Sequence, residues 1–242
     1  MSTEVKPYNT EASKKTEVRD MFDNVAGRYD FLNRLLSLGI DISWRKRLIK
    51  ELRAYEPSHV LDMATGTGDL AIMAAKALDG IKIDGIDLSP GMVAVGVDKV
   101  SKADLQERVT IKVGDSERIR AERASYDGAM VSFGVRNFEN LRLGLSELHR
   151  VLQPGQPLLV LEFTKPTIFP IKQVFNLYFR LILPMIGKVL SKDKRAYVYL
   201  YESVQAFPGY DDFKTIMEEV GFKNCRWHAL TCGICCLYIG EK

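Results

Sequence analysis

A doubly wound α/β sheet is the fold this sequence predicts, on three observations. Short apolar runs alternate with helical stretches between residues 59 and 163, a glycine loop follows the first run, and an acid ends the second. Residues 60–70 read VLDMATGTGDL and residues 81–88 read IKIDGIDL. Strand, loop, helix, strand and acid in that order make the first half of a nucleoside-binding crevice.

The elements follow from period and punctuation. Strands are expected at residues 59–63, 81–87, 109–113, 127–133 and 157–163, where β-branched and other apolar residues run without a helical period. Helices are expected between them at 69–78, 91–102 and 140–152, so the sheet is largely parallel with right-handed crossovers. Residues 211–220 form a further helix, capped by Gly221, and residues 222–230 and 235–240 are two strands around a short glycine-containing turn. Such a hairpin makes the last strand antiparallel. Residues 1–52 precede this core; the helical spacing of Leu32, Leu35, Leu36, Trp44, Leu48 and Ile49 predicts helices packed over the sheet's ligand edge. Residues 165–208 are inserted after the fifth strand, and their apolar run from 171 to 190 is broken by Lys172, Arg180, Pro184 and Lys188. Those interruptions exclude a membrane span and leave a helical lid. Its apolar face needs a cover: the domain beneath, an oily substrate, a peripheral contact with the membrane surface, or a second subunit in a homodimer.

Bulk properties narrow the function. A chain of 242 residues, 46% hydrophobic, is one domain of ordinary size spanning 1–242. A net charge of +3 without a basic stripe excludes nucleic acid as a partner. Cys225, Cys232, Cys235 and Cys236 crowd into the terminal hairpin, which is neither a disulfide framework nor a zinc site, since the CxxC lacks a second ligand pair. No metal is expected. The polar, charged opening of the chain resembles neither a signal peptide nor a transit segment, so the expected setting is a bacterial cytoplasm, with the inner face of the membrane within reach of the lid.

Gly66, Gly68 and Ala71 match GxGxxA, a pattern that dinucleotides and other nucleosides share. Gly66 and Gly68 permit close backbone approach, and Asp87 at the second strand's end can take both hydroxyls of a ribose. Charge separates the candidates. Asp62 and Asp69 flank the loop, and a carboxylate at the helix start is hostile to a diphosphate but suits the positive sulfonium and ammonium of S-adenosylmethionine. Methyl transfer is therefore favoured over hydride transfer by a nicotinamide cofactor.

Four stretches carry a wider likeness: MFDNVAGRYDFLN at 21–33, SWRK at 43–46, SFGVRNF at 132–138 and RVLQPGQPLLVLEF at 150–163. In these the chain closely resembles the ubiquinone/menaquinone biosynthesis C-methyltransferases, over nearly its whole length. It departs from them at Gln156-Pro157 and at Cys232-Gly233, where members often carry glycine, both away from the reacting edge. The resemblance implies a class I methyltransferase sheet that moves a methyl group from S-adenosylmethionine to a ring carbon of a prenylated quinol, foremost 2-demethylmenaquinol and alternatively the benzoquinol precursor of ubiquinone. It also implies cofactor contacts at Thr67, Asp87, Asp115, Ser116 and Ser132.

Carbon methylation needs a stabilised phenolate beside the attacking carbon. Arg136 is expected to hold that oxyanion or polarise a water, Asn137 to orient it, and Tyr29, with Asp30, to close over the cofactor and join the proton path. Arg136 is no simple base, because its guanidinium stays charged. His149 is expected on a helix face away from the site, and Arg150 to anchor helix to loop.

Overall fold

The computed structural model describes residues 5–178 and 195–242, so part of the expected lid, 179–194, lies outside the described residues, as do the side chains of Leu32, Leu35 and Leu36. Seven strands form one sheet: β1 His59–Met63, β2 Lys82–Asp87, β3 Val109–Val113, β4 Gly128–Ser132, β5 Pro157–Phe163, β6 Lys223–Leu230 and β7 Cys235–Glu241. Their order is β3-β2-β1-β4-β5-β7-β6. β1 pairs in parallel with both β2 and β4, so the winding reverses between β1 and β4, and the crevice opens at their carboxyl ends. β7 is antiparallel to β5 and to β6, as expected of the terminal hairpin, and it lies between them, a position that the sequence did not indicate.

Boundaries moved where side chains claim the backbone. Asp127 stays out of β4 because its carboxylate accepts the N–H groups of Ser58 (2.9 Å) and His59 (2.8 Å), bracing the start of β1. Phe133 leaves the other end of β4 at φ 59°, a left-handed turn rare for an aromatic residue, and Ala64 does the same after β1 at φ 55°. Both strained residues stand at the switch point.

The helices are α1 Lys14–Val25, α2 Tyr29–Leu36, α3 Ile40–Arg53, α4 Asp69–Ala77, α5 Pro90–Lys102, α6 Leu141–Val151, α7 Ile171–Leu177, α8 Arg195–Ala206 and α9 Asp211–Val220. Caps explain their starts. Ser89 accepts from Met92 N–H at 3.1 Å with Pro90 next in line, and Asn140 accepts from Leu143 N–H at 3.0 Å. Gly221 ends α9 at φ 116°, as expected of a left-handed cap.

Strand alternation divides the core into two layers. Val60, Met130, Leu159, Leu161 and Leu237 face α3 and α4, burying Trp44, Leu48 and Leu52 with Leu70 and Ala74. Leu61, Met63, Val131, Val160 and Tyr238 face α6 and α9, burying Leu145, Leu148, Phe213 and Met217. Burial on both faces explains why the central strands read as unbroken apolar runs. α3 thus belongs to the sheet's own layer, while α1 and α2 cross the ligand edge. Cys225, Cys235 and Cys236 are buried in the hairpin, where burial pushes the Cys236 thiol up to about 12 and the Cys225 thiol up to about 11. No helix among the described residues is long and apolar enough to cross a membrane.

Candidate active site

Two cavities meet at the carboxyl edge of the sheet. The first is a cleft of about 70 Å³ at the ends of β1, β2 and β4, lined by Gly66, Asp87, Asp115, Ser116, Ser132 and Asn137. The second, about 380 Å³, lies between the N-terminal helices and the insertion and is walled mainly by Phe22, Trp44, Phe133, Phe163, Phe175 and Tyr199. Phe22, Tyr29 and Phe133 line both, so the two spaces share one aromatic wall.

The cleft is polar where a nucleoside needs it. Asp87 lies at the end of β2 and accepts from Gly66 N–H (2.8 Å) and Ser89 N–H (2.9 Å), tying the glycine loop to the neighbouring strand. Burial raises its pKa, against those two N–H groups. Ser132 lines the cleft, and its Oγ is buried with no hydrogen-bond partner among the described residues. Asp115 lies beside Ser116 after β3, but its carboxylate already holds Lys15 Nζ of α1 at 2.8 Å. Lys15 also meets Glu117 at 2.9 Å, and these acids hold its pKa up although burial works against the charge. A ligand base that engages Asp115 therefore displaces or shares this lysine.

Four acidic and loop residues stand elsewhere than the sequence suggested. Asp62 is 1% exposed beneath the loop, accepts Thr65 Oγ1–H at 2.6 Å, and reaches neither cavity. Burial foremost raises its pKa to about 7, and the partner it meets here is the loop's own Thr65. Thr67 is buried and donates to Asp30 at 2.5 Å, on the side of the loop away from the cleft. Gly68 is the left-handed residue before α4 (φ 79°), and a Cβ there would lie 2.6 Å from Ile111 Cδ1; its role is packing of loop on strand. Asp69, the first residue of α4, is neutralised by Lys99 (2.5 Å) and Arg34 (3.4 Å). The electrostatic case against a diphosphate therefore loses the residue on which it leaned most.

The expected catalytic residues separate across the shared wall. The 3-10 turn Val135–Asn137 sends Arg136 into the apolar cavity and Asn137 into the cleft. Arg136 is anchored by Glu162 Oε1 at 2.8 Å and by a very short bond to the Phe133 carbonyl. Burial raises the Glu162 pKa while Arg136 pulls it back. Asn137 Oδ1 accepts from Tyr199 of α8 at 3.1 Å, a direct tie between the insertion and the cleft. Tyr29 bridges both spaces, and burial raises its phenol above the usual range, against the charges of Arg136 and Arg45. Asp30 faces Lys99 at 2.6 Å instead of the cleft, docking α2 on α5. His149 lies edge-on to Phe222 on the opposite layer, and Arg150 binds the Ile119 and Ala121 carbonyls, each where expected.

Sequence reasoning missed Glu162, Tyr199 and Lys15. Glu162 had left a signal, a lone charge inside the apolar strand LLVLEF. Tyr199 and Lys15 had none, because their contacts join segments far apart in sequence.

Comparison with known proteins bears on the family and the fold. A model of the ubiE/COQ5 methyltransferase family matches residues 10–242. A demethylmenaquinone methyltransferase of Bacteroides fragilis is 44% identical over 98% of this chain and 97% of its own. A ubiquinone/menaquinone biosynthesis C-methyltransferase UbiE of Geotalea daltonii is 43% identical over 95% and 97%. Among solved structures, a SAM-dependent methyltransferase of Thermotoga maritima, described as a possible histamine N-methyltransferase, superposes with a TM-score of 0.67 at 16% identity, over 93% of this chain and 99% of that one. That likeness carries the fold alone. The chain belongs to the ubiE/COQ5 methyltransferase family.

Proposed function

We propose that this chain methylates a ring carbon of a prenylated quinol, with 2-demethylmenaquinol as the acceptor and the benzoquinol precursor of ubiquinone as the alternative. One observation carries the reading: a cleft of polar groups at the strand ends and an apolar cavity share the wall of Phe22, Tyr29 and Phe133. Cofactor and oily acceptor then meet end to end. Relatives named for demethylmenaquinone favour the naphthoquinol.

The side chains lining the cleft suit S-adenosylmethionine, which supplies the electrophilic methyl group when bound. Asp87 would take its ribose hydroxyls, the Asp115–Ser116 pair its base, and Ser132 Oγ would gain the partner it lacks. Arg136, fixed by Glu162, holds the acceptor's oxygen as phenolate, which makes the neighbouring carbon electron-rich. Tyr29, a phenol that burial holds further from ionisation than usual, donates to the same oxygen rather than removing its proton. The hydroxyl proton leaves to water as the phenolate forms; the carbon–carbon bond forms as the methyl–sulfur bond breaks, and the ring proton then lost to water is offset by reprotonation of the oxygen, so one proton is released per methyl group transferred. The aromatic walls keep the acceptor's ring and tail out of solvent until then.

Exposed Phe31, Leu38, Phe169, Val174 and Leu177 surround this region, and Leu38 and Val174 also line the cavity. We read that rim as a peripheral membrane contact through which the prenyl tail enters. Co-sedimentation with lipid vesicles tests it; a homodimer that buries the same residues and ignores vesicles would refute it.

The decisive experiment is turnover of reduced demethylmenaquinone by the purified chain, alongside calorimetry with S-adenosylhomocysteine and NADH. Arg136→Ala should lose about a hundredfold or more in turnover while binding S-adenosylhomocysteine nearly as well. Binding of NADH alone, or equal loss of turnover and cofactor affinity, would overturn the reading.

A further inference from the structure

Arg45 puts a second cation into the wall of the apolar cavity. It lies on α3, its side chain 7% exposed, with Nη1 against Asp41. A pair so far removed from water is costly, and well-packed apolar residues in its place would stabilise the fold as well or better. Asp41 does not serve Arg45 alone, because Arg34 (3.1 Å), itself shared with Asp69, and Ser37 Oγ (2.8 Å) draw on the same carboxylate. Among the described residues Asp41 is the one acceptor that Arg45 reaches, and its Nε is buried without a partner. Arg136 repeats the arrangement: one nitrogen on a buried carboxylate, Nε unpartnered.

The two guanidiniums flank one aromatic platform. Phe133 and Phe163 lie 4.6 Å apart with their planes 31° from parallel. Arg45 stands 5.7 Å from the Phe133 ring and Arg136 stands 5.8 Å from the Phe163 ring. Both arginines line the same cavity as this aromatic pair, so a flat ring held in it is bordered by two separate sets of hydrogen-bond donors, the pairing that a para-diol would use. We propose that Arg45 binds the second oxygen of the quinol, the one remote from the reacting carbon, while Arg136 holds the first. The assignment rests on the quinol reading above. It makes Arg45 a substrate-binding residue that selects diols over simple phenols and fixes which ring carbon faces the methyl donor.

The test compares two acceptors and three proteins. The acceptors are a short-chain 2-demethylmenaquinol and the corresponding 3-prenyl-1-naphthol, in which hydrogen replaces the remote hydroxyl; the proteins are the parent chain, Arg45→Gln and Arg45→Lys. Arg45→Gln should raise KM for the diol by roughly ten- to a hundredfold, the loss of one charge-assisted hydrogen bond, and leave KM for the naphthol within about twofold. Arg45→Lys keeps the charge and should fall between. S-adenosylhomocysteine affinity, unchanged in both variants, reports a folded cofactor site. Equal losses on both acceptors, or none on the diol, would overturn the assignment and leave the quinol reading standing. No turnover of the diol by the parent chain would overturn both.

Discussion

Removing the carboxylate behind Arg136 is the sharpest test of how this site is built. Glu162→Gln keeps shape and one acceptor oxygen but removes the charge from a side chain that is fully buried and 2.8 Å from a guanidinium only 7% exposed. Breaking a buried pair from one side costs about 3–5 kcal/mol, because the remaining ion has neither water nor counter-charge. For a chain of this length that corresponds to a fall in melting temperature of about 6 °C or more. Glu162 also accepts from the N–H of Arg136 at 3.4 Å, so the variant loosens the turn that points this arginine into the cavity. Turnover should therefore fall together with stability, while S-adenosylhomocysteine affinity stays close to the parent value. Urea unfolding and initial rates on the same preparation measure both. A variant that unfolds at the parent midpoint with parent turnover would refute the claim that Glu162 holds Arg136 in place.

Two further substitutions probe the switch point. Asp62 has its carboxyl raised to about 7, against an unfolded value near 3.8, so the stability it contributes is present below pH 4 and is lost as pH rises through 7. That loss is on the order of 4 kcal/mol, and Asp62→Asn should flatten it; identical slopes of unfolding free energy between pH 4.5 and 8 for variant and parent would refute the assignment. In Gly134→Ala the new Cβ lies 2.5 Å from the Ala64 Cβ, which has no flexible end to swing aside. The loops after β1 and β4 must part, costing about 1–3 kcal/mol and weakening S-adenosylhomocysteine binding; unchanged calorimetry would show that the loops move independently.

The sheet was legible because its signals are local. Val60-Leu61, Ala129 to Val131 and Leu158 to Leu161 bury both faces and so read as plain apolar runs, and Gly221 and Pro90 mark helix ends by their backbone preferences. The site was legible only in outline. Asp87, Asp115, Ser116 and Ser132 line the cleft because strand ends place them there, whatever their neighbours. The sign and exposure of a charge depend instead on long-range partners. Asp69 reads as a free carboxylate until Lys99 and Arg34 arrive from other helices, and Asp62 reads as a ligand contact until the loop folds over it. Tyr199 meets the cleft's Asn137, and Lys15 its Asp115, from segments that no spacing rule connects to it.

The interior position of β7 sets a schedule for the nascent protein. Ribosomes deliver β1 to β5 first, yet the neighbour of β5 is a strand made from residues 235–241, which emerge after β6. Until then β5 presents an open backbone edge on a stretch whose side chains are almost all destined for the interior, the kind of surface that recruits other chains. The last strand therefore closes a gap inside the sheet rather than adding a rim. Truncations that trim only this stretch should yield insoluble material rather than a weakened enzyme, and holdase chaperones have most to protect in the interval before it arrives.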